Sequence, residues 1–477
     1  MKLLADSWNF CGKEPRHRWC ARRVGRSPVA ELGLCLGLAC VLVLHAMPSQ
    51  AKLSLEEAVA IAQDNDPWLA GSEFREQSMM ARSTAAGTLP DPRLDMGFAN
   101  LPTDSFDFDQ EAMTQFKVGV SQMFPRGDSR ALERERLAIM SGQFPYQRDD
   151  RRARLAVDVA SLWLETYRAR ESIRLIESDR ELFVQLVDVA RSSYSSATGG
   201  SRQQDLVRAQ LELTRLEDRL SVLQERFDSS RSQLGQWLRP RSADVADDEN
   251  PWLQFGYQPQ ELSASLPQIK LLQPQLYRPD DVAGAQQLAT LFSRHPLILE
   301  FDSRISASRT GVELARQKYH PQWSVNASYG YREDDPMGRD RPDFFSVGVG
   351  FDLPLFTSNR QDQELQSALA DTEVIKTEKA LALRKMLASF ESQRARLWRI
   401  EQRSELYRDR LLPEMQEQAE ASLTAYTRDD GDFAEVVRAQ IAQLNARIEA
   451  LDIDIERLRT ISALNYFFAT STAGESS

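Results

Sequence analysis

Residues able to act as nucleophiles or soft-metal ligands are scarce in this chain and poorly placed for catalysis. All four cysteines lie within the first fifty residues, at Cys11, Cys20, Cys35 and Cys40. Beyond that segment only two histidines occur, His295 and His320; both precede proline at the predicted ends of helices, which indicates a structural role. No nucleophile elbow, phosphate-binding loop or zinc-protease motif is present. We therefore expect no enzyme activity, no cofactor and no metal ligands.

The first fifty-one residues have the pattern of a secretory signal peptide. An arginine-rich segment precedes an apolar run from Leu32 to Ala46, and Ser49-Gln50-Ala51 offers small residues for cleavage after Ala51. The run is too short to span a bilayer as a helix. A lipid anchor at Cys40 is the alternative, which the apolar residues continuing past it disfavour. We predict a signal peptide over 1–51 and an exported mature chain without cysteine.

Composition excludes several classes of protein. With 477 residues, 27% of them charged, and a mean hydropathy of -0.46, the chain is too polar for a bundle of membrane-spanning helices. Four cysteines exclude a disulfide-rich scaffold. A net charge of -11 argues against nucleic acid as a partner.

The mature sequence repeats itself after 229 residues, without gaps over some sixty positions. Pro67 matches Pro296, and Pro92 matches Pro321. The segment Val207-Arg208-Ala209-Gln210 matches Val437-Arg438-Ala439-Gln440 at a shift of 230. The chain is therefore expected to contain two copies of one structural unit.

Each unit is predicted to contain a helix, two strands, a very long helix and a returning helix. The first repeat, 52–240, has a helix from about Leu55 to Ala86, a β-hairpin over 93–124, a long helix over 128–197 and a returning helix over 201–240. A proline-rich connector follows at 241–283. The second repeat, 284–470, has a helix from about Val282 to Tyr319, a hairpin over 322–354, a long helix over 359–427 and a returning helix over 433–468. Residues 471–477 are small and polar, and we expect a disordered tail.

The strands alternate strictly between apolar and small or polar residues. From Phe345 to Leu353 the alternation is unbroken, and from Trp323 to Tyr331 the odd positions are apolar and the even positions small or polar. Runs of about ten such residues match tilted strands that cross a bilayer. We expect one face to contact lipid, through Phe345, Val347, Val349, Phe351, Leu353, Trp323 and Val325. The other face is expected to line a wet pore, through Ser324, Asn326, Ser328, Ser346 and Asp352. A half-buried sheet in a soluble protein would show the same alternation.

The helices carry apolar heptad seams typical of coiled coils. One seam runs from Leu155 to Ala190, one from Leu206 to Trp237, and one from Val437 to Leu458. In length, the first and returning helices together match the long helix, so they can stack end to end beside it. Two repeats then give four antiparallel helical columns and four strands. Because four strands cannot close a barrel, strands in lipid would require the chain to oligomerise; three copies supply about twelve strands.

These features resemble the TolC-type outer membrane channels, over nearly the whole mature chain. The resemblance rests on the duplication, on strands ending in Gln122-Met123-Phe124-Pro125, and on a tip motif from Tyr426 to Gln440 that is repeated more loosely from Tyr194 to Gln210. It implies a mixed α/β membrane protein: a homotrimer with a 12-stranded β-barrel in outer membrane lipid and a periplasmic α-helical barrel that the connector encircles. It also implies partnership with a periplasmic adaptor protein and an inner membrane efflux pump. The segments Leu89 to Pro92 and Asn100 to Pro102 most resemble the branch that serves heavy-metal resistance.

The resemblance also assigns site residues. The family closes its periplasmic end with a ring of acidic side chains, which implies a gate at Glu435, Arg438, Asp205 and Arg208. Arg438 stands where the family has an acid; it could pair with Glu435 or Asp205 across helices, or form an ordinary pair within one helix. The implied adaptor contacts are Thr198, Gly199, Gly200, Asp429, Asp430 and Gly431. The function this predicts is a passive exit duct of a tripartite efflux system; the alternative is a secreted coiled-coil structural or interaction protein with a soluble β-sheet.

Overall fold

The computed structural model describes residues 52–195, 203–239, 261–277, 285–428 and 431–471. The predicted signal peptide, the tip residues Thr198, Gly199, Gly200, Asp429 and Asp430, part of the connector and the tail from 472 lie outside the described residues. The first repeat contains α1 (Leu55–Asn65), α2 (Pro67–Ala86), β1 (Arg93–Ala99), β2 (Gln115–Phe124), α3 (Ser129–Ser141), α4 (Gln143–Ser195) and α5 (Gln203–Leu238). The second contains α6 (Ala285–Phe292), α7 (Pro296–Gln317), β3 (Gln322–Tyr331), β4 (Phe344–Asp352), α8 (Gln361–Leu406), α9 (Leu412–Thr427) and α10 (Phe433–Tyr466).

The first helix of each repeat differs from the sequence expectation, because it is divided in two. Asp66 separates α1 from α2, and His295 precedes α7; each residue has an extended backbone and is followed by proline. Proline disfavours helical geometry in the residue before it and has no N–H to continue the helix. Both residues cap the helix that follows, through Asp66 Oδ1 to the Trp68 N–H at 3.1 Å and His295 Nδ1 to the Leu297 N–H at 3.2 Å.

The long helices are also interrupted. Gly142 separates α3 from α4. In the second repeat a single π-helical turn, Tyr407–Leu411, separates α8 from α9. Pro413 follows that turn and cannot donate to the carbonyl of Asp409 four residues earlier, which accounts for the local widening of the helix.

The helices lie in four neighbouring columns. Helices α1, α2 and α5 form the first column, and α3 with α4 forms the second, which they contact. Helices α7 and α10 form the third column, and α8 with α9 forms the fourth. The short helices therefore stack beside the long ones, as the length comparison predicts. Helix α4 alone has 53 residues, or about 80 Å.

The predicted apolar seams form the contacts between columns. Every apolar residue at the heptad positions of the three seams, which recur at alternating steps of four and three residues, is buried or half-buried. Ile176, Phe183 and Val187 of α4 belong to one apolar cluster with residues of α5 and α10. A second cluster contains Trp163, which is fully buried and donates from Nε1 to the carbonyl of Leu53 at 3.2 Å. The seams thus hold the columns side by side.

All four strands form one antiparallel sheet in the order β1-β2-β3-β4. Phe124 pairs with Trp323 across β2 and β3, so the hairpins of the two repeats are joined directly. β1 and β3 begin 229 residues apart, as do β2 and β4, which is the repeat distance in the sequence. Within the part of the chain that is described, the outer edges of β1 and β4 have no strand partner.

Candidate functional site

The sheet has one apolar and one polar face. Across its register, Met96, Val118, Tyr329 and Phe345 form one row, and the neighbouring row is Asp95, Gly119, Ser328 and Ser346. The residues predicted to face lipid are each 41–73% exposed; six of them share the apolar face, and Leu353 directly follows β4: Phe345, Val347, Val349, Phe351, Leu353, Trp323 and Val325. A contiguous group of exposed apolar side chains such as this one indicates a surface that contacts lipid or another protein.

The polar face is built from small side chains. Ser324 and Asn326 of β3 lie opposite Gly350 and Gly348 of β4, and Ser328 lies opposite Ser346. A Cβ on Gly348 would lie 2.7 Å from Asn326 Oδ1, and one on Gly350 would lie 2.7 Å from Ser324 Oγ. Glycine therefore provides the room that these polar side chains occupy. The residues predicted to line a pore all lie on this face.

The predicted gate residues lie at the opposite end of the columns from the sheet. Arg438 Nη1 donates to Glu435 Oε2 at 2.7 Å, within α10, and both side chains are largely exposed. In the single chain, Arg438 therefore pairs with a residue one turn away in its own helix, and not with a residue of another helix. Asp205 is buried in the first turn of α5, where the helix dipole favours an anion, and Arg208 is exposed.

Among the predicted adaptor contacts, the structure describes Gly431. It lies just before α10, whose N-cap Asp432 accepts from the Ala434 N–H at 3.1 Å. A Cβ on Gly431 would lie 2.6 Å from the backbone nitrogen of Tyr426 and 2.9 Å from the carbonyl carbon of Ala425. Only glycine allows the chain to turn this closely against the end of α9.

Charged contacts between columns are a feature that the sequence interpretation missed. Asp179 of α4 accepts from Arg447 Nη1 of α10 through both carboxylate oxygens, at 3.0 and 3.1 Å. Farther along the same two helices, Arg168 Nη1 donates to Asp452 at 3.2 Å. On the other side of α10, Arg396 pairs with Glu456, and Tyr407 in the π-helical turn donates to Glu449. Helix α10 is therefore tied to both neighbouring columns.

Glu165 shows how these contacts hold charge at the α4–α10 interface. Partial burial raises the pKa of its carboxyl group. Hydrogen bonds from Arg168 and Arg459 lower the pKa by more than burial raises it, so the pKa lies below its ordinary value. The carboxylate is ionised at neutral pH and bridges the second and third columns. A sequence signal for it was present, because Arg168 and Glu165 are one turn apart, but the Arg459 partner lies 294 residues away.

The described residues contain neither a membrane-spanning helix nor a cluster of metal-ligating side chains. No helix there is both long and apolar enough to cross a membrane. In the same ranges, no three or more His, Cys, Asp or Glu side chains are grouped so that they could hold a metal ion.

Comparison with known proteins identifies the fold. No family model matches the sequence, and no curated protein matches it. Solved structures do match: CusC, described for its folding and transmembrane channel formation, has a TM-score of 0.68 at 15% identity and covers 87% of this chain and 92% of that one. The CmeC outer membrane channel of Campylobacter jejuni has a TM-score of 0.68 at 12% identity, covering 88% of each chain.

A third match is the open state of the MtrE outer membrane channel of Neisseria gonorrhoeae. It has a TM-score of 0.67 at 14% identity and covers 87% of this chain and 89% of that one. Likeness at such low identity reports on the fold, and it extends over the columns and the sheet together. The chain has the fold of the TolC-type outer membrane channels.

Proposed function

We propose that this chain is the outer membrane component of a tripartite efflux system and acts as a passive exit duct. The observation that carries the proposal is the four-stranded sheet, which is apolar and exposed on one face, small and polar on the other, and continuous with long helical columns. A lipid-facing outer surface and a wet inner surface require this division.

The same sheet supports assembly into a homotrimer. The edges of β1 and β4 lack strand partners among the described residues, and each backbone group left unpaired in lipid costs several kcal/mol. Three copies supply about twelve strands, an even number within the range of known barrels, and about twelve helical columns. The columns would extend roughly 80 Å or more into the periplasm.

The far end of the columns is where we place the partners. The tip formed by α9, Gly431 and α10 would contact a periplasmic adaptor protein, which in turn binds an inner membrane pump. The gate would lie beside it, among Glu435, Arg438, Asp205 and Arg208, and would open when contacts with the adaptor replace contacts within the channel, a shift between two states.

Heavy-metal cations are the cargo class proposed from the sequence resemblance. A passive duct needs no metal-binding site of its own, because the pump selects the cation that is transported. Removing the gene from the producing strain should then increase its sensitivity to copper, zinc or cobalt salts. Unchanged sensitivity to all three would discard this cargo class and leave the channel proposal in place.

The decisive experiment combines planar-bilayer conductance of the purified mature chain with its oligomeric mass in detergent. Discrete channels from a trimer are the expected result. A species that is soluble without detergent and shows no conductance would overturn the proposal in favour of a secreted coiled-coil scaffold.

A further inference from the structure

In each repeat a turn leads from the second strand into the long helix. This turn is packed against the other repeat in the first repeat and is exposed in the second. In the first repeat, Arg126 Nη1 donates to the carbonyls of His320 at 2.7 Å and Lys318 at 3.3 Å, and its other terminal nitrogen pairs with Asp352. The Asp128 N–H donates to Gln317 Oε1 at 3.1 Å. This turn therefore rests on the end of α7 and on the segment that joins α7 to β3, both in the neighbouring repeat.

The equivalent positions in the second repeat are large and apolar. At the repeat shift of 229, Arg126 and Gly127 correspond to Leu355 and Phe356. Leu355 is 71% exposed, and Phe356 is 88% exposed, the highest value among the large apolar side chains described. The connection also lengthens there, because α8 begins only at Gln361. Among the described residues, no strand pairs with β4 on the side away from β3, where the matching cover would lie.

The segment that would cover this turn, near the start of the first repeat, also differs from its equivalent in the second repeat. By the same shift, Lys318 corresponds to Leu89, and Tyr319 and His320 correspond to Pro90 and Asp91. Leu89 is exposed in the single chain. Where the contact within the chain joins an arginine to backbone carbonyls, the matching contact between chains would join Leu355 and Phe356 to Leu89 and Pro90. Leu355, Phe356, Leu89 and Pro90 are all apolar, and Asp91 is the charged residue that follows Pro90.

The same shift, applied to the strand register, places side chains of one kind opposite each other. Within the chain, Phe124 pairs with Trp323 and Gln122 with Val325 across β2 and β3. Shifted by 229 residues, the same pairing sets Leu353 and Phe351 of one copy opposite Leu94 and Met96 of a second copy. Phe351, Leu94 and Met96 lie on the apolar face, and Leu353 directly follows β4. A slip by one residue would set apolar residues against the polar face.

We propose that Leu355 and Phe356 dock on Leu89 and Pro90 of a second copy, and that β4 of the first copy pairs with β1 of the second in the register that sets Phe351 opposite Met96 and Val349 opposite Phe98. The inference rests on the proposed homotrimer and specifies its seam. The seam is apolar at the junction of strands and helices, where the contact inside the chain is ionic.

A photo-reactive benzoyl-phenylalanine at position 356 of the full mature chain tests the docking contact. Irradiation should give dimer and trimer bands in denaturing gels, and mass spectrometry should place the attachment within residues 86–93 of another copy. The same probe at Met337, which is 83% exposed in the loop between β3 and β4, is the matched control and should not join these segments. Attachment of the position-356 probe to lipid, or to its own chain, would overturn the proposal.

Disulfide formation tests the register, because the chain has no cysteine after residue 51. Val349→Cys combined with Phe98→Cys should form a bond between copies, since directly opposed residues have Cβ atoms about 5 Å apart. Val349→Cys with Gly97→Cys should not, because Gly97 lies on the other face. Equal yields from the two pairs would contradict the register.

A substitution measures the strength of the seam. Phe356→Asp should weaken trimer association about tenfold or more, and Phe356→Leu should largely preserve it. A trimeric mass without the expected cross-links would overturn this inference and leave the proposed function intact. A monomeric mass at every concentration would overturn both.

Discussion

His295 and Tyr466 join the two helices of the third column end to end. The Nε2–H of His295, which precedes α7, donates to the carbonyl oxygen of Tyr466 at the end of α10, with a distance of 3.0 Å. Its Nδ1 accepts from the Leu297 N–H. Both contacts require the neutral ring with its proton on Nε2.

This arrangement predicts acid sensitivity of the helical columns. Burial lowers the pKa of His295; nearby Asp150 and the Tyr466 carbonyl oppose that shift, whereas Arg154 adds to it. The unfolded chain therefore binds a proton more readily, and stability present above about pH 6.5 should be lost as the pH falls below it. Each unit by which the pKa is lowered contributes about 1.4 kcal/mol.

Thermal unfolding followed by circular dichroism in detergent, between pH 7.5 and 5, measures the effect. His295→Asn keeps a helix cap but cannot titrate, so its unfolding temperature should fall less in acid than that of the parent chain. His320→Asn is the control, because the His320 side chain is exposed. Parallel pH curves for the parent chain and His295→Asn would contradict the prediction.

The ion pair between Asp179 of α4 and Arg447 of α10 should stabilise the position of α10 more than the Glu435–Arg438 pair inside α10 does. The Asp179–Arg447 contact joins α4 to α10, so Asp179→Asn should cost about 1 kcal/mol. If closure depends on that contact, the open population would rise roughly fivefold. Removing both Glu435 and Arg438 deletes a pair one turn apart, worth a few tenths of a kcal/mol.

Single-channel recording in planar bilayers compares the two variants. We expect a larger rise in open probability for Asp179→Asn than for Glu435→Ala with Arg438→Ala. The reverse order would show that the exposed pair forms the gate.

Gly431 should be indispensable for the tip. Gly431→Ala introduces a Cβ against the backbone of Tyr426 and Ala425, so we expect the end of α9 and the start of α10 to open more often. Hydrogen exchange over residues 420–440 should accelerate, and binding to an adaptor should weaken. The control is Gly71→Ala within α2, where a Cβ meets nothing within 4 Å; it should leave exchange at the tip unchanged.

The two faces of β4 should respond oppositely to charge. Val349→Arg places a guanidinium on the apolar face, at a cost of about 2–4 kcal/mol if that face meets the middle of a bilayer. Ser346→Arg on the polar face of the same strand should assemble normally and alter conductance instead. Heat-modifiable trimer in membrane fractions measures assembly, and equal yields from the two variants would argue against lipid on the apolar face.

The sequence by itself determined the features that depend on neighbours along the chain. The alternation from Phe345 to Leu353 and the helical seams are local periodicities, and each predicts which residues share a face. The structure bears this out for the sheet and for the burial of the seams. The repeat of 229 residues predicts that one unit occurs twice. The interruptions at Asp66 and His295 were missed by the prediction of one continuous helix in each repeat, although the proline that follows each residue was a signal for them.

Only the tertiary structure decided how distant elements meet. Asp179 and Arg447 are 268 residues apart, and their contact depends on the axial register of two long helices, which a periodic seam permits at several offsets. The clamp from Arg126 to the carbonyls of Lys318 and His320 likewise follows from the pairing of β2 with β3. Local patterns decide which face of an element is buried, whereas the packing of whole columns decides which charges are brought together.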